Sequence, residues 1–497
     1  MNRSSVFVGV ILGMLCLAGS YSPADERVND LGTNRDESSH VGVEARMPAF
    51  PDALGWGRNA TGGRGGEVRK VTHLKDSGPG SLRAALQTEG AAYVVFEVSG
   101  TINLQSRIKI TSNKTIAGET AFRSGGEGIT LKINQGTTSN TLVVVSGGSN
   151  LICRYLRFRR GPGLPPEVDG DNLLLTGTGT DFIFDHCSFS WSTDELVNPY
   201  GPTRMTFQNC IFSEALYNST HAYTTDTEHA AYPNPHSMGP LVGNGSDEVT
   251  FYNNLFAHNN QRNPLIGGGV GGGTKFELVN NLIYNFGSFG TVFSDNDTAV
   301  TVNFINNYHM AGPNTSTSRY AIAINKGVTA YARGNINSKR PSQSDPEWNA
   351  IGCESGCGTY MQEPAPTAWQ SSMPFDFPLQ HVASMSATAI RDGVIGGAGA
   401  NLVKDAVDTR IFNDVLNGTG GFVSHPSEVG GWPQLTGMKS VPVDTDDDGM
   451  ADRWEEQRFG SLASGPNDDQ DGDGYTNLEE YLHQLAAGNG LNDAELQ

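Results

Sequence analysis

FIFDHCSF (182–189), MTFQNCIF (205–212), VTFYNNLF (249–256) and FELVNNLIY (276–284) are variations on one short pattern. Two looser copies follow, VNFINNYHM (302–310) and YARGNIN (331–337). Aligned, they bring Cys187, Cys210, Asn254, Asn281, Asn307 and Asn335 into one slot, at steps of 23, 44, 27, 26 and 28 residues. A period of this size marks a solenoid whose units bury their faces against one another. Each unit is a short alternation of Val, Ile, Phe and Thr bounded by Gly, Asn and Asp, which reads as a strand. No helix-length amphipathic segment separates the units, so the expected fold is all-β, a parallel β-helix. The recurrent asparagine is expected to form the corner, because Asn tolerates the left-handed region. YVVFEVSGTINL, RIKITSNKTIAG, LVVVSG and LICRYLRF read as earlier rungs, and the 44-residue step holds an insertion around 217–235.

The 497-residue chain opens with MNRSSVFVGVILGMLCLAGS, a basic residue, an apolar run and small residues, which reads as a secretory signal over 1–20. That run is too short for a membrane span, and no later segment is longer. A secreted, soluble monomer with a linker over 21–45, a β-helix over 46–440 and a tail over 441–497 is expected. Five cysteines would remain, and an odd number argues against a disulfide framework. Cys353 and Cys357 can close a small loop, while Cys187 and Cys210 read as buried small hydrophobes. The formal charge of −20 includes −13 from the tail, so nucleic acid is not an expected partner. The glycine-dense LGWGRNATGGRGG (54–66) precedes no helix start and reads as a cap on the solenoid's end rather than a phosphate loop.

Carboxylates gather on neighbouring rungs: Asp169 and Asp171 in EVDGDNLLL, then Asp185 and Asp194 in FDHCSFSWSTDELVN, which ends at Asn198. Successive rungs lie roughly 4.8 Å apart, so Asp171 and Asp194 can face each other. Clustered carboxylates repel unless they hold a hard cation such as Ca²⁺, although Asx-turn residues at loop ends have the same look. Arg262, in NNLFAHNNQRNPLIGGG (253–269), has nothing charged nearby in sequence.

DGDNLLL, FIFDHCSFSWSTDELVN, HSMGPLVG and NNLFAHNNQRNPLI, in this order, resemble the core of the family 1 pectate lyases, and the chain from about Leu54 to Leu482 resembles their pectate lyase C-like branch. The resemblance implies a right-handed parallel β-helix and Ca²⁺-dependent β-elimination of polygalacturonate. It makes Asp171 and Asp194 calcium ligands, with Asp169 a neighbour of Asp171. Asn198 stands where the family usually has an aspartate, Gly267 where it has a second arginine, and the substrate-binding lysine is missing, with His236 nearby. Arg262 matches the catalytic arginine. Elimination builds negative charge beside a uronate carboxylate, and a cation and a guanidinium there would disperse it. Arg262 would act either as a neutral base, its pKa depressed, or as a cation holding the enolate while water or hydroxide takes the proton. Arg154, Arg157, Arg159 and Arg160 are read as further uronate contacts or as a solvated face.

The tail carries Asp444, Asp446, Asp448, Asp452 and Glu455 at ligand spacing, then Asp469, Asp471, Asp473, Asn477 and Glu480, with Gly449 and Gly474 at the sharp turns. Two matches to the EF-hand loop pattern are expected to bind Ca²⁺ and resemble dockerin or thrombospondin type 3 repeats. A solvated acidic tail, or an anchoring module for a partner, are the other readings. For the whole chain, a solenoid glycosidase and a non-catalytic polysaccharide-binding adhesin stand beside the lyase.

Overall fold

A computed structural model of the chain describes residues 47–136, 141–164, 170–221, 236–243, 245–269, 274–287, 289–296 and 299–489. Every ladder between named strands is parallel, and they assemble into three long faces of one coil. The first is an eleven-stranded sheet running from Glu67–Val71 to Gln370–Ser371. The second has eight strands, from Gly100–Leu104 to Tyr308–Met310. The third consists of a four-stranded sheet ending at Val197–Tyr200 and a five-stranded sheet starting at Leu241–Val242. Single bridges Glu195↔Met238 and Tyr200↔Gly243 join its two parts. This is the parallel β-helix that the repeat implies.

Register is kept from coil to coil because large apolar side chains stack. Phe184 lies opposite Phe207 and Phe207 opposite Phe251, with ring centroids 5.0 and 5.3 Å apart. Phe158, Phe189, Phe212 and Phe256 form a second stack, at 4.8, 5.2 and 4.4 Å. A one-residue slip would turn these rings outward, so the stacks hold the register.

The aligned slot is a buried hydrogen-bond ladder and not the corner itself. The left-handed residue is one position earlier: Asn209, Asn253, Asn280 and Asn306 have φ of 52° to 56°. Of each Asn-Asn pair, the first residue turns the chain and the second points inward. Asn254 Nδ2 donates to Phe207 O at 2.7 Å, Asn281 to Phe251 O at 3.1 Å, Asn307 to Leu278 O at 2.8 Å and Asn335 to Phe304 O at 2.8 Å. Each Oδ1 accepts the N–H of the preceding slot, Asn254 that of Cys210 at 2.9 Å and Asn335 that of Asn307 at 3.0 Å. The thiols of Cys187 and Cys210 occupy the same slot, reaching Cys153 O and Phe184 O at 3.6 and 3.4 Å. Cysteine and asparagine therefore both fit the slot, because both are small donors. Glu347 closes the row by accepting the N–H groups of Gly334 and Asn335.

The glycine-dense segment is a strap along the eleven-stranded sheet, not an end cap. Trp56 and Gly57 donate backbone N–H to Thr250 and Thr206 at 3.1 and 2.9 Å, Gly62 to Asn150 at 2.8 Å and Gly63 to Thr115 at 2.9 Å. The strap crosses successive strands so closely that a Cβ on Gly57 would lie 2.0 Å from Phe182 O. The short helix α1 (Leu82–Gln87), capped by Ser81, closes the N-terminal end by burying Leu82, Ala85 and Leu86 in the core.

The arginines of ICRYLRFRR are neither solvated nor free for ligand; all four are buried. Arg154 pairs with Asp185 at 3.0 Å and Glu119 at 3.3 Å. Arg157 and Arg159 point out of the eight-stranded sheet toward the start of helix α3 (Ala406–Asn417), which follows α2 (Ala387–Gly397). There Arg159 Nη2 meets Asp408 at 2.6 Å and Asp405 at 3.1 Å, and Asp405 also caps the helix. Arg160 donates to Gly161 O and Thr193 Oγ1. Cys353 and Cys357 are joined as a disulfide, and Cys153, Cys187 and Cys210 are buried thiols.

The tail lies on the outside of the first strands. Helices α4 (Asp452–Arg458) and α5 (Asn477–Ala486) bring Trp454, Leu478, Tyr481, Leu482 and Leu485 against Tyr93, Val95 and Ala117. Arg64 pairs with Glu479 at 2.9 Å, and Arg123 donates to Tyr481 Oη at 3.1 Å. This explains why Ala92–Phe96 is buried on both faces.

The ladder makes a stability prediction. Asn281→Ala leaves buried peptide groups of the neighbouring coils without partners and is expected to cost about 2–3 kcal/mol, lowering the urea unfolding midpoint. Asn281→Cys, which restores a donor of the kind already at position 210, is expected to lose less. Equal midpoints for wild type and the alanine variant would contradict the ladder's role.

Candidate functional site

The corner that enters the third face gathers the charged residues. Leu173 pairs with Val197, so two residues earlier Asp171 stands opposite Glu195. The Glu195 backbone N–H donates to Asp171 Oδ1 at 3.0 Å. Glu195 bridges in turn to Met238, and Met238 to Gln261, which brings Arg262 over from two coils further on. Coil stacking thus collects residues from four distant stretches at one corner.

Asp171, Asp194 and Glu195 each offer a carboxylate oxygen, all within 4.8 Å of one another. Asp171 is fully buried, Glu195 2% exposed and Asp194 9%. The Arg262 guanidinium forms an ion pair with Glu195 through Nη1. Its side chain remains 23% exposed, enough for a ligand to reach it from outside. Burial pulls the Arg262 pKa below its usual value, while Asp194 and Asp171 pull it back up. Three carboxylates converge there with hard oxygen donors, which suit a divalent cation such as Ca²⁺.

The backbone helps position Arg262. It has φ 54°, a left-handed residue ahead of Asn263, and Asn263 Nδ2 donates to Asn259 O at 3.2 Å. Gly267, on Leu265–Gly269, has φ 146°, and a Cβ there would lie 1.6 Å from Ser294 O. No side chain fits at 267, so Arg262 has no second arginine beside it from that position.

Asp194 has further partners. His236 Nε2 lies 2.7 Å from its Oδ1 and His221 Nε2 3.5 Å from its Oδ2, with the two rings stacked at 3.8 Å. Burial alone would raise the Asp194 carboxyl, but the two imidazoles hold it well below the usual carboxylate range. Burial pushes the His236 pKa down against the opposing pull of Asp194. His236, expected as a substrate contact, is thus only 7% exposed and packed against Asp194, because the histidine that precedes Ser237 is turned inward by the bridge at Met238. His221 was not expected; an isolated histidine at the edge of an insertion carries no sequence signal.

Of the remaining expected ligands, Asn198 sits on Val197–Tyr200 beside Leu174, outward and half-buried. Asp169 lies outside the described residues. Asp185 belongs to another corner, bonded to Arg154 and His186, and takes no part here. Glu195 is the residue that the sequence reading missed. Its only signal is adjacency to Asp194, which strand alternation would turn to the opposite side; the bend at Thr193–Asp194 lets both offer an oxygen to one cluster.

No family model matches the chain. Among curated proteins, a probable pectate lyase C of Aspergillus flavus is 34% identical over 453 residues, spanning 88% of this chain and 94% of its own length. A probable pectate lyase C of Emericella nidulans is 33% identical over 450 residues, spanning 88% and 92%. Among solved structures, a pectate lyase bound to hexasaccharide matches at 15% identity and a TM-score of 0.42, over 72% of this chain and 99% of that one. A superposition this loose adds nothing to the fold read from the strand pairing.

The tight approach at Gly267 is open to test. Gly267→Ala forces the Ser294 carbonyl to move and is expected to lower the thermal midpoint by about 1–3 °C, as strain of about 1–3 kcal/mol implies for a folded unit of this size. An unchanged midpoint by circular dichroism would contradict the contact.

Proposed function

The chain belongs to the pectate lyase family and is a polysaccharide lyase, and from that premise we propose that it is a secreted enzyme cleaving α-1,4-polygalacturonate by Ca²⁺-dependent β-elimination. The products are unsaturated oligogalacturonides. One observation carries the proposal: the guanidinium of Arg262 lies at a cluster of three buried carboxylates, in a pocket reached from outside.

The donor set fits the cation. Asp171 and Asp194 offer carboxylate oxygens and Asn198 an amide oxygen, all of the kind a hard divalent ion takes. Bound there, Ca²⁺ supplies Lewis-acid withdrawal of charge from the substrate carboxylate and anchors a polyanion to an acidic protein. The chain's own residues do the rest. Burial fixes Asp171 through the Glu195 N–H and Asp194 through His236, so neither has to reorganise as charge develops. Arg262 donates to the oxygens that gain charge when the proton α to the carboxylate leaves. Of the two roles open to it, the ion pair with Glu195 favours the cation, with water or hydroxide taking the proton. The glycosidic oxygen then departs from the adjacent carbon.

A glycosidase needs a carboxyl that stays protonated to serve as acid. Asp194 is held in the opposite direction and Asp171 is tied to a backbone N–H, so neither is poised for that work. A binding-only role leaves the Arg262–carboxylate arrangement without a purpose.

The tail is proposed as a pair of structural calcium loops. Glu455 is fully buried, and both its carboxylate oxygens have no hydrogen-bond partner among the described residues. It clusters with Asp446 and Asp452, and Asp444, Asp446 and Asp448 form an adjoining group. Asp469, Asp471 and Asp473 make the second loop, where Arg458 also pairs with Asp471 and Glu480, while Asn477 donates to Gly465 O. The apolar side of both helices is spent on the chain's own first strands, which supports a structural role over docking to a partner.

Arg262→Ala is expected to reduce formation of ultraviolet-absorbing unsaturated uronides by at least about a thousandfold, as loss of a transition-state charge partner does, with an unchanged circular dichroism spectrum. Chelator is expected to silence the wild type and Ca²⁺ to restore it; wild-type rate in the variant, or product formation in chelator, would contradict the lyase reading. For the tail, Ca²⁺ is expected to raise the thermal midpoint of the wild type, and Glu455→Gln to lose a large part of that rise. A calcium-dependent shift identical in the variant would contradict the loop assignment.

A further inference from the structure

We propose that Glu195 is the third acidic ligand of the catalytic cation and the residue that aims Arg262, so that cation binding and the arginine's position share one carboxylate. The inference rests on the lyase reading of the site and goes beyond it by assigning a residue that the sequence motif leaves without a role.

Three observations converge. Glu195 is the register partner of Asp171, locked to it by the bond from its backbone N–H to Asp171 Oδ1. Its carboxylate shares the cluster in which Asp171 and Asp194 each present an oxygen. The same carboxylate pairs with the Arg262 guanidinium, and the side chain is 3% exposed, so the charge is withdrawn from water. A buried carboxylate facing two others is unfavourable unless positive charge offsets all three. Arg262 supplies positive charge at Glu195, and a divalent cation held between the three carboxylate oxygens would supply more.

Asn198 gives the comparison. It is the one amide among the ligands expected at this corner, set on the outward side of its strand, with its Oδ1 buried and without a hydrogen-bond partner among the described residues. It can offer an oxygen but no charge. Glu195, three residues earlier on the same coil, supplies the charge that position 198 lacks, and from a place where it also touches Arg262. The bend at Thr193–Asp194 makes this possible by letting Asp194 and Glu195, neighbours in sequence, both offer an oxygen to the cluster.

The assignment separates two effects that one substitution should produce together. Glu195→Gln keeps the shape and removes the charge. In the full-length protein, calcium titration calorimetry on a background with the tail loops disabled (Glu455→Gln, Glu480→Gln) is expected to show at least about tenfold weaker calcium binding, the scale of a lost charged ligand or of its support. At saturating calcium, kcat is expected to fall about a hundredfold while KM changes little, because Arg262 has lost its anchor. Adding Asn198→Asp to Glu195→Gln returns a carboxylate to the site without a partner for Arg262. It is expected to recover calcium affinity but not kcat.

Wild-type calcium affinity in Glu195→Gln would overturn the assignment, and so would a double variant that recovers neither or both quantities. If Glu195→Gln does not fold, Glu195→Asp serves: the shorter carboxylate is expected to keep calcium affinity within about tenfold and still lose kcat, and unchanged kcat would overturn the aiming role. Failure of the lyase reading is seen separately, since the wild type itself would then make no chelator-sensitive product.

Discussion

Everything in this molecule depends on parallel coils stacked in strict register. The buried row formed by Cys187, Cys210, Asn254, Asn281, Asn307 and Asn335 links each coil to the one before it through side-chain bonds to its peptide groups. Glu347 ends the row. With the Phe stacks inside the coil, the row leaves no freedom to slide, and equivalent corners fall one above another. That is what brings Asp171, Asp194, Glu195 and Arg262 together from separate stretches of sequence. The pocket's chemistry is a consequence of stacking, since no local motif holds all four residues.

The repeat was legible because the strand period and the recurring small donor mark each coil, whatever its loops do. Asp171, Asp194 and Arg262 were legible through motifs that sit at coil corners. What lay hidden is what depends on the partner a residue meets in space. Arg157 and Arg159 read as surface charge because Asp405 and Asp408, almost 250 residues later, arrive on a helix laid over the sheet. The glycine-dense strap read as a cap because its acceptors, Thr250, Thr206, Asn150 and Thr115, belong to four different coils. The corner asparagine was placed one residue late, since sequence does not say which member of an Asn-Asn pair turns. Glu195 was missed because alternation along a strand fails at a bend.

Acidic residues gather at two places in the fold. At the corner of the third face, Asp171, Asp194 and Glu195 are buried and Arg262 pairs with Glu195. In the tail, which carries −13 of the −20, carboxylates repeat at ligand spacing, and basic residues reach into them: Lys70 pairs with Asp444 at 2.8 Å and Arg458 with Asp471 at 2.7 Å. Both places need positive charge to be stable, but they stand on different parts of the fold. One lies at the third face beside Arg262, while the other lies beside helices α4 and α5, which pack over Tyr93, Val95 and Ala117 at the solenoid's beginning.

Diffraction from crystals grown with Ca²⁺ and a short oligogalacturonide, using the catalytically impaired Arg262→Lys protein to keep the sugar whole, tests the central claim most directly. The expected result is an ion at the corner of the third face with oxygens of Asp171, Asp194 and Glu195 at about 2.3–2.6 Å. A uronate carboxylate would complete its shell, with the substituted lysine side chain directed at that uronate. A uronate bound at another face, or an ion held away from these three carboxylates, would contradict it.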